Sequence, residues 1–162
     1  MKSQRLAAIY ADIARRHGCG FLDAGQVIVS SPLDVVVIML GTNDLKQRFA
    51  APPVEIAEGV AVLVHQVLHS DMGPGGGQPK VLLIAPPPVL EAGCLAEIFA
   101  GGAAKSQRLA AEYARVAARY NVSFLDAGAI IQSSGVDGVH YDAAEHGKLG
   151  RAVATAVKAI EF

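Results

Sequence analysis

Residues 34–40, Asp-Val-Val-Val-Ile-Met-Leu, form an almost unbroken β-branched and aliphatic run that Gly41-Thr42-Asn43-Asp44 then interrupts. A run with no polar alternation reads as a strand covered on both faces, and such a strand needs helices packed above and below it. Residues 80–85, KVLLIA, repeat the pattern and stop at Pro86, Pro87 and Pro88. Between the two, residues 54–69 set Ile56, Val60, Leu63 and Val67 at helical spacing and turn Glu55, Glu58, His65 and His69 outward. Strand, helix, strand in this order predicts a βαβ unit.

The pattern continues downstream. Residues 106–120 align Leu109, Tyr113, Val116 and Tyr120 on one helical face, residues 122–127 read as a short strand, and residues 143–160 as a closing helix with Leu149, Val153, Ala156 and Ile160 inward. Asp142 with Glu145 three residues on resembles a capping box. Residues 69–79, HSDMGPGGGQP, read as a surface loop; they lack the Gly-Lys-Ser/Thr ending of a phosphate cradle and precede a strand. A length of 162 residues suits one domain, and a 52% hydrophobic composition without Trp suits helices packed closely on a sheet. The expected fold is a single α/β domain, residues 1–162, with a mainly parallel sheet.

A formal net charge of -1, with Lys and Arg scattered along the chain, offers no footprint for nucleic acid. The longest apolar run, 35–40, is far short of the roughly 20 residues that cross a bilayer. The polar opening MKSQR lacks a signal-peptide core, so a soluble, cytoplasmic protein without membrane contact is expected. Cys19 and Cys94 have neither metal-site nor redox-motif spacing, and no metal or cofactor is expected.

The chain also repeats itself. Residues 2–31 run in gap-free register with residues 105–134 at an offset of 103, with nineteen of thirty positions identical. A single duplication at that distance is not a solenoid or propeller repeat. The first copy of Phe-Leu-Asp-Ala-Gly, 21–25, is followed within about seven residues by the strand that begins near Leu33, too few for a parallel crossover of roughly 10–12 residues. That copy must pair antiparallel, lie elsewhere or be exchanged with another chain. Two equivalent segments competing for one sheet position predict a homo-oligomer, formed by segment exchange.

In open α/β sheets, sites assemble beyond the carboxyl ends of the strands. Gly41-Thr42-Asn43-Asp44, the prolines 86–88 and the loop Asp137-Gly-Val-His140-Tyr-Asp142 all fall there. Asp137 and His140, three apart before a helix, can lie within one turn, so that the carboxylate accepts from Nδ1 and leaves Nε2 outward as a base. Taken singly, each motif is ordinary turn chemistry, Gly giving conformational freedom and Asn or Asp capping. Their joint occurrence past successive strand ends is what points to a site. His65 and His69 with Glu58 have a spacing that can hold zinc but no third ligand, and a solvated helix face is expected. His17 and His146 sit in helix-end contexts and read as surface groups, while Asp23 and Asp126 most simply cap the turns that follow them.

The combination of residues 33–44, LDVVVIMLGTND, with KVLLIAPPP, FLDAG and VDGVHYD resembles the SGNH hydrolases, the GDSL esterase family, particularly its arylesterase or acyltransferase-like branch, over residues 32–162. The resemblance implies a three-layer α/β/α sandwich close to the flavodoxin type. It implies that His140 is the general base, Asp137 its orienting acid, Asn43 a side-chain oxyanion donor, and a small acyl or aryl ester the substrate. The family's nucleophile comes from an amino-terminal Gly-Asp-Ser-Leu-like block, and a later block supplies an oxyanion glycine. Neither is present: none of the eight serines follows Gly-Asp or lies in a G-x-S-x-G elbow, and the duplicated block stands in that place. The nucleophile is therefore unknown, with Ser30 or Ser31 near the junction as one option. Impaired esterase activity is expected, and a catalytically inactive module that self-associates or binds a partner is the alternative.

Overall fold

The computed structural model describes residues 32–161 together with Asp12 and Arg16. The first copy of the repeat, and with it Cys19, His17, Asp23, Ser30 and Ser31, lies outside the described residues.

Three strands, β1 (Val35–Ile38), β2 (Lys80–Ala85) and β3 (Ser123–Asp126), pair in the order β1-β2-β3. Both pairings are parallel, with Val36 opposite Val81 and Leu83 opposite Phe124. Helix α1 (Pro53–Leu68) connects β1 to β2; α2 (Gly102–Ser106) and α3 (Leu109–Tyr120) connect β2 to β3; α4 (Ala143–Lys158) follows β3. Among the described residues, no helix is long and apolar enough to cross a membrane.

The strand pleat sorts side chains into two cores. Val36, Ile38, Val81, Leu83 and Ala85 face α1 and α3, where Ile56, Val60, Val64, Tyr113 and Val116 meet them. Val35, Met39, Leu82, Ile84 and Leu125 face the other way, toward Leu149, Val153 and Ile160 of α4. Sequence and structure thus agree on three layers, helix on sheet on helix; β2 is covered on both faces as expected, whereas β1 leaves Val37 43% exposed.

The helices form where the pattern requires, with local corrections. Pro53 opens α1 at a position whose N–H has no intrahelical partner in any case. Its buried stripe is Ile56, Ala57, Val60, Ala61 and Val64, spaced three and four apart; Leu63, expected inward, lies off this stripe and is exposed. The helix expected over residues 106–120 is broken at Gln107 and Arg108. Ser106 causes the break by spending its hydroxyl locally: Oγ accepts the Val89 N–H at 3.1 Å and donates to the Ala103 carbonyl at 2.7 Å. Asn121, in the left-handed conformation at φ 52°, ends α3. The expected capping box at α4 does not form. Glu145 reaches instead to the N–H of Gln132 at 3.1 Å and to Lys148 Nζ at 2.6 Å, which staples α4 to the loop ahead of it.

Candidate active site

Because all three strands are parallel, their carboxyl ends share one edge of the sheet. Beyond β1 this edge carries Gly41–Leu45, beyond β2 the prolines 86–88, and beyond β3 the loop that ends in Asp142.

The last of these holds the clearest chemistry. Asp137 Oδ2 lies 2.7 Å from Nδ1 of His140, and Oδ1 accepts the N–H groups of Val139 and His140 at 2.9 Å each. Three donors on one carboxylate stabilise its charged form, and the two backbone N–H groups dominate; they hold the Asp137 pKa down to about 2. The carboxylate is therefore ionised at any ordinary pH and fixes the imidazole with Nδ1 inward. The His140 side chain is 75% exposed and Asp137 only 21%, so the acid is sheltered and the base opens to solvent. Nε2 makes no hydrogen bond among the described residues.

The loop is clamped onto the segment beyond β2. Leu90 donates its N–H to the Gly138 carbonyl at 2.7 Å, and Ser133 Oγ donates to the Pro88 carbonyl at 2.9 Å. Within the loop, the Ser134 N–H meets the His140 carbonyl at 2.7 Å and Gly138 N–H the Ser134 carbonyl at 2.8 Å. Gly138 has φ 79°, and a Cβ there would run into the Leu90 carbonyl. Close backbone approach demands glycine at this position.

Asn43 sits in a short 3-10 turn, Thr42–Leu45, whose cap Gly41 has φ 108°. Tyr113 Oη, fully buried, donates to the Leu40 carbonyl at 2.8 Å and fills the space a side chain on Gly41 would need. Burial, and then the nearby charge of Asp44, push the Tyr113 phenol well above its ordinary pKa, so it remains a donor. A fully packed ring thus sets where the turn leaves β1. The Asn43 side chain is exposed and its amide makes no hydrogen bond to any described residue. Two links join this turn to the neighbouring segment: Gly102 packs on the Leu45 carbonyl, and Gln47 donates to the Ile98 carbonyl at 2.9 Å.

The structure thus brings Asp137 and His140 into direct contact and sets Asn43 on the same edge, with β2 between the strands that lead to them. Other candidates resolve into structural roles. Glu58 pairs with Arg119 at 2.9 Å, and His69 Nδ1 lies 2.8 Å from the His65 carbonyl with the two rings stacked; no metal-sized group of three ligands occurs among the described residues. Asp126 caps its turn as expected, accepting the Gly128 N–H at 2.9 Å. His146 is half-buried against the Tyr141 ring, not a plain surface group, and burial followed by the His140 charge lowers its pKa. Cys94 is a free, exposed thiol.

Sequence reasoning missed Ser133 and Ser134, the buried residues that seat the loop. Their one visible signal was that both recur in the duplicated block as Ser30 and Ser31. Sequence alone also left open whether another described serine could attack an ester. Each described serine near this edge is buried and hydrogen-bonded: Ser106 and Ser133 in the bonds above, and Ser134 Oγ as acceptor of the Val136 N–H at 3.3 Å. Ser123 begins β3, at the opposite edge.

Comparison with known proteins agrees with this architecture. The GDSL-like lipase/acylhydrolase family matches residues 26–147. Among solved structures, a carbohydrate acetylesterase from Sinorhizobium meliloti is 41% identical over 83% of this chain, with a TM-score of 0.78. An aryl esterase from M. smegmatis, in its inhibitor-bound form, is 42% identical over 85% of this chain, also at 0.78. The chain covers 65% and 66% of the length of these two proteins, just under two thirds. A lipase/acylhydrolase from Enterococcus faecalis, 19% identical with a TM-score of 0.55 over 77% of this chain and 61% of its own, shares the fold. No curated protein sequence matches the chain.

Proposed function

The chain belongs to the GDSL-like lipase/acylhydrolase family, and from that premise we propose that its carboxyl-edge site is the acid–base and oxyanion half of an ester hydrolase acting on small acyl or aryl esters. The observation that carries this reading is the Asp137–His140 pair, with the carboxylate sheltered and Nε2 free. In the reaction, His140 Nε2 removes the proton from the attacking oxygen as that oxygen bonds to the ester carbonyl carbon. The imidazolium, stabilised by ionised Asp137, then returns the proton to the departing alkoxide as the C–O bond breaks. The side-chain amide of Asn43 donates to the carbonyl oxygen as negative charge collects on it.

The described serines near this edge, Ser106, Ser133 and Ser134, are buried and hydrogen-bonded, so among the described residues the reading assigns the attack to water. Loss of the serine from such a unit costs on the order of 10⁶ in kcat, so turnover is slow. The rival reading is an inactive α/β module. Hydrolysis of p-nitrophenyl acetate, run with a fluorophosphonate probe and intact-mass spectrometry, separates the two. Slow turnover is expected, falling about 10²-fold or more in His140→Ala, with a further loss in Asn43→Ala and no phosphonate adduct. Equal rates in the parent chain and His140→Ala favour the inactive module.

A further inference from the structure

We propose that the short helix α2 (Gly102–Ser106) is a strut that fixes the Asn43 turn relative to the His140 loop, with Ser106 as its positioning residue. The functional meaning of the strut rests on the ester-hydrolase reading; its mechanical role does not.

Asn43 and His140 do not set their own separation. Asn43 follows β1 and His140 follows β3, and β2 runs between these strands. An oxyanion donor and a base act together only when held within roughly 0.5 Å of their working positions. A rigid connection outside the sheet has to supply that precision.

On the His140 side, the loop hangs on residues 88–90. Ser133 Oγ donates to the Pro88 carbonyl, and the Leu90 N–H donates to the Gly138 carbonyl. Val89, between these two anchors, is buried and gives its N–H to Ser106 Oγ at 3.1 Å. Ser106, itself buried, donates to the Ala103 carbonyl at 2.7 Å, while the Ala103 N–H goes to Glu91 Oε1 at 3.1 Å. Both polar backbone groups of Ala103 are therefore tied to the segment that carries the loop. Removing the Ser106 hydroxyl would leave the buried Val89 N–H without its acceptor.

The other end of α2 meets the Asn43 turn. Gly102 is buried and donates its N–H to the Phe99 carbonyl at 2.7 Å. A methyl group on Gly102 would lie 3.3 Å from the Leu45 carbonyl and 3.5 Å from Val89 Cγ2, so this glycine is wedged between the turn and the segment beyond β2. Leu45, fully buried, closes the turn two residues after Asn43. Contacts thus run unbroken from the Asn43 turn through Gly102 and Ser106 to Val89, Leu90 and Gly138. Close-packed groups pass a displacement on instead of absorbing it.

Spatial continuity alone does not establish coupling, so the test is a cross-effect, read as amide exchange by NMR on the full chain. Ser106→Ala should speed exchange of the Leu90 and Gly138 amides by about tenfold or more. It should do the same at the far end of α2, to the Asp44 and Lys46 amides that close the Asn43 turn. Gly102→Ala, which presses on Leu45, should disturb that turn and the Gly138 amide together. Ser106→Thr, which keeps the hydroxyl, should restore much of the lost protection. In p-nitrophenyl acetate hydrolysis, Ser106→Ala should lower kcat by about tenfold or more at nearly unchanged KM. No His140-dependent turnover in the parent would sink the ester reading and leave the exchange result standing. Exchange that rises only at the mutated end in both Ser106→Ala and Gly102→Ala would overturn the strut. A rise in Ser106→Ala that includes the β2–β3 amides would make Ser106 a prop of the whole fold and overturn its positioning role; Gly102→Ala would then decide the strut by itself.

Discussion

The two oxygens of Asp137 have separate partners: Oδ2 lies 2.7 Å from Nδ1 of His140, while Oδ1 accepts the backbone N–H groups of Val139 and His140. One carboxylate therefore orients the imidazole and also folds the loop that presents it.

This double role gives an acid limit. The Asp137 pKa is lowered to about 2 in the folded chain, against roughly 3.9 for a free aspartate. A depressed carboxylate pKa contributes stability above the free value and loses it as pH falls toward the folded one. The Val139 and His140 amides should stay protected down to about pH 4 and lose protection between about pH 4 and pH 2. Asp137→Asn should abolish that transition. Amide NMR across this range decides, and a profile flat to pH 2 counts against the arrangement.

Gly138→Ala should be costly. Its φ of 79° and the adjacent Leu90 carbonyl leave a methyl group no room, so we expect a loss of roughly 2 kcal/mol or more in urea unfolding. Gly135→Ala, whose new methyl meets open space, should stay within about 0.5 kcal/mol of the parent. Equal effects at the two glycines would contradict the clamp.

Tyr113 and Gly41 should behave as a coupled pair. Tyr113→Phe removes the bond to the Leu40 carbonyl and should cost about 1–2 kcal/mol. Gly41→Ala drives a methyl into the Tyr113 hydroxyl and should cost more. The double variant should be less damaging than the sum, since Tyr113→Phe removes the obstructing oxygen while the strained φ remains. Simple additivity in a double-mutant cycle would show that the turn is positioned by something else.

Ser133→Ala should loosen the loop without touching the imidazole. Losing the bond to the Pro88 carbonyl should cost about 1 kcal/mol, and any ester turnover should fall with it. Ser133→Thr, if accommodated, should restore part of both. Unchanged stability and unchanged turnover in Ser133→Ala would remove Ser133 from the positioning machinery.

The strands and the helices between them were legible because strand burial leaves continuous apolar runs, and helix amphipathicity leaves a 3.6-residue period. Asp137 and His140 were legible for a similar reason: a partner three residues away is a local relationship, and local spacing survives in one dimension. Leu63 and Ser106 were misjudged because each depended on a neighbour far off in the chain. Leu63 lost its place to Val64 once α1 settled against the sheet, and Ser106 broke its helix because Val89, seventeen residues earlier, needed an acceptor. Glu145 likewise turned to Gln132 and not to its own helix start.

From residue order alone came the α/β layering, the parallel strand pair, the duplicated block and the pairing of Asp137 with His140, all of which rest on periodicity or near-neighbour spacing. Only the tertiary structure decided that β2 lies between the strands leading to Asn43 and His140, that the nearby serines are buried in loop and helix bonds, and that β1 leaves Val37 and Leu40 exposed. Those facts depend on which strand lies beside which, a relationship set by packing between distant segments and written in no local stretch of the chain.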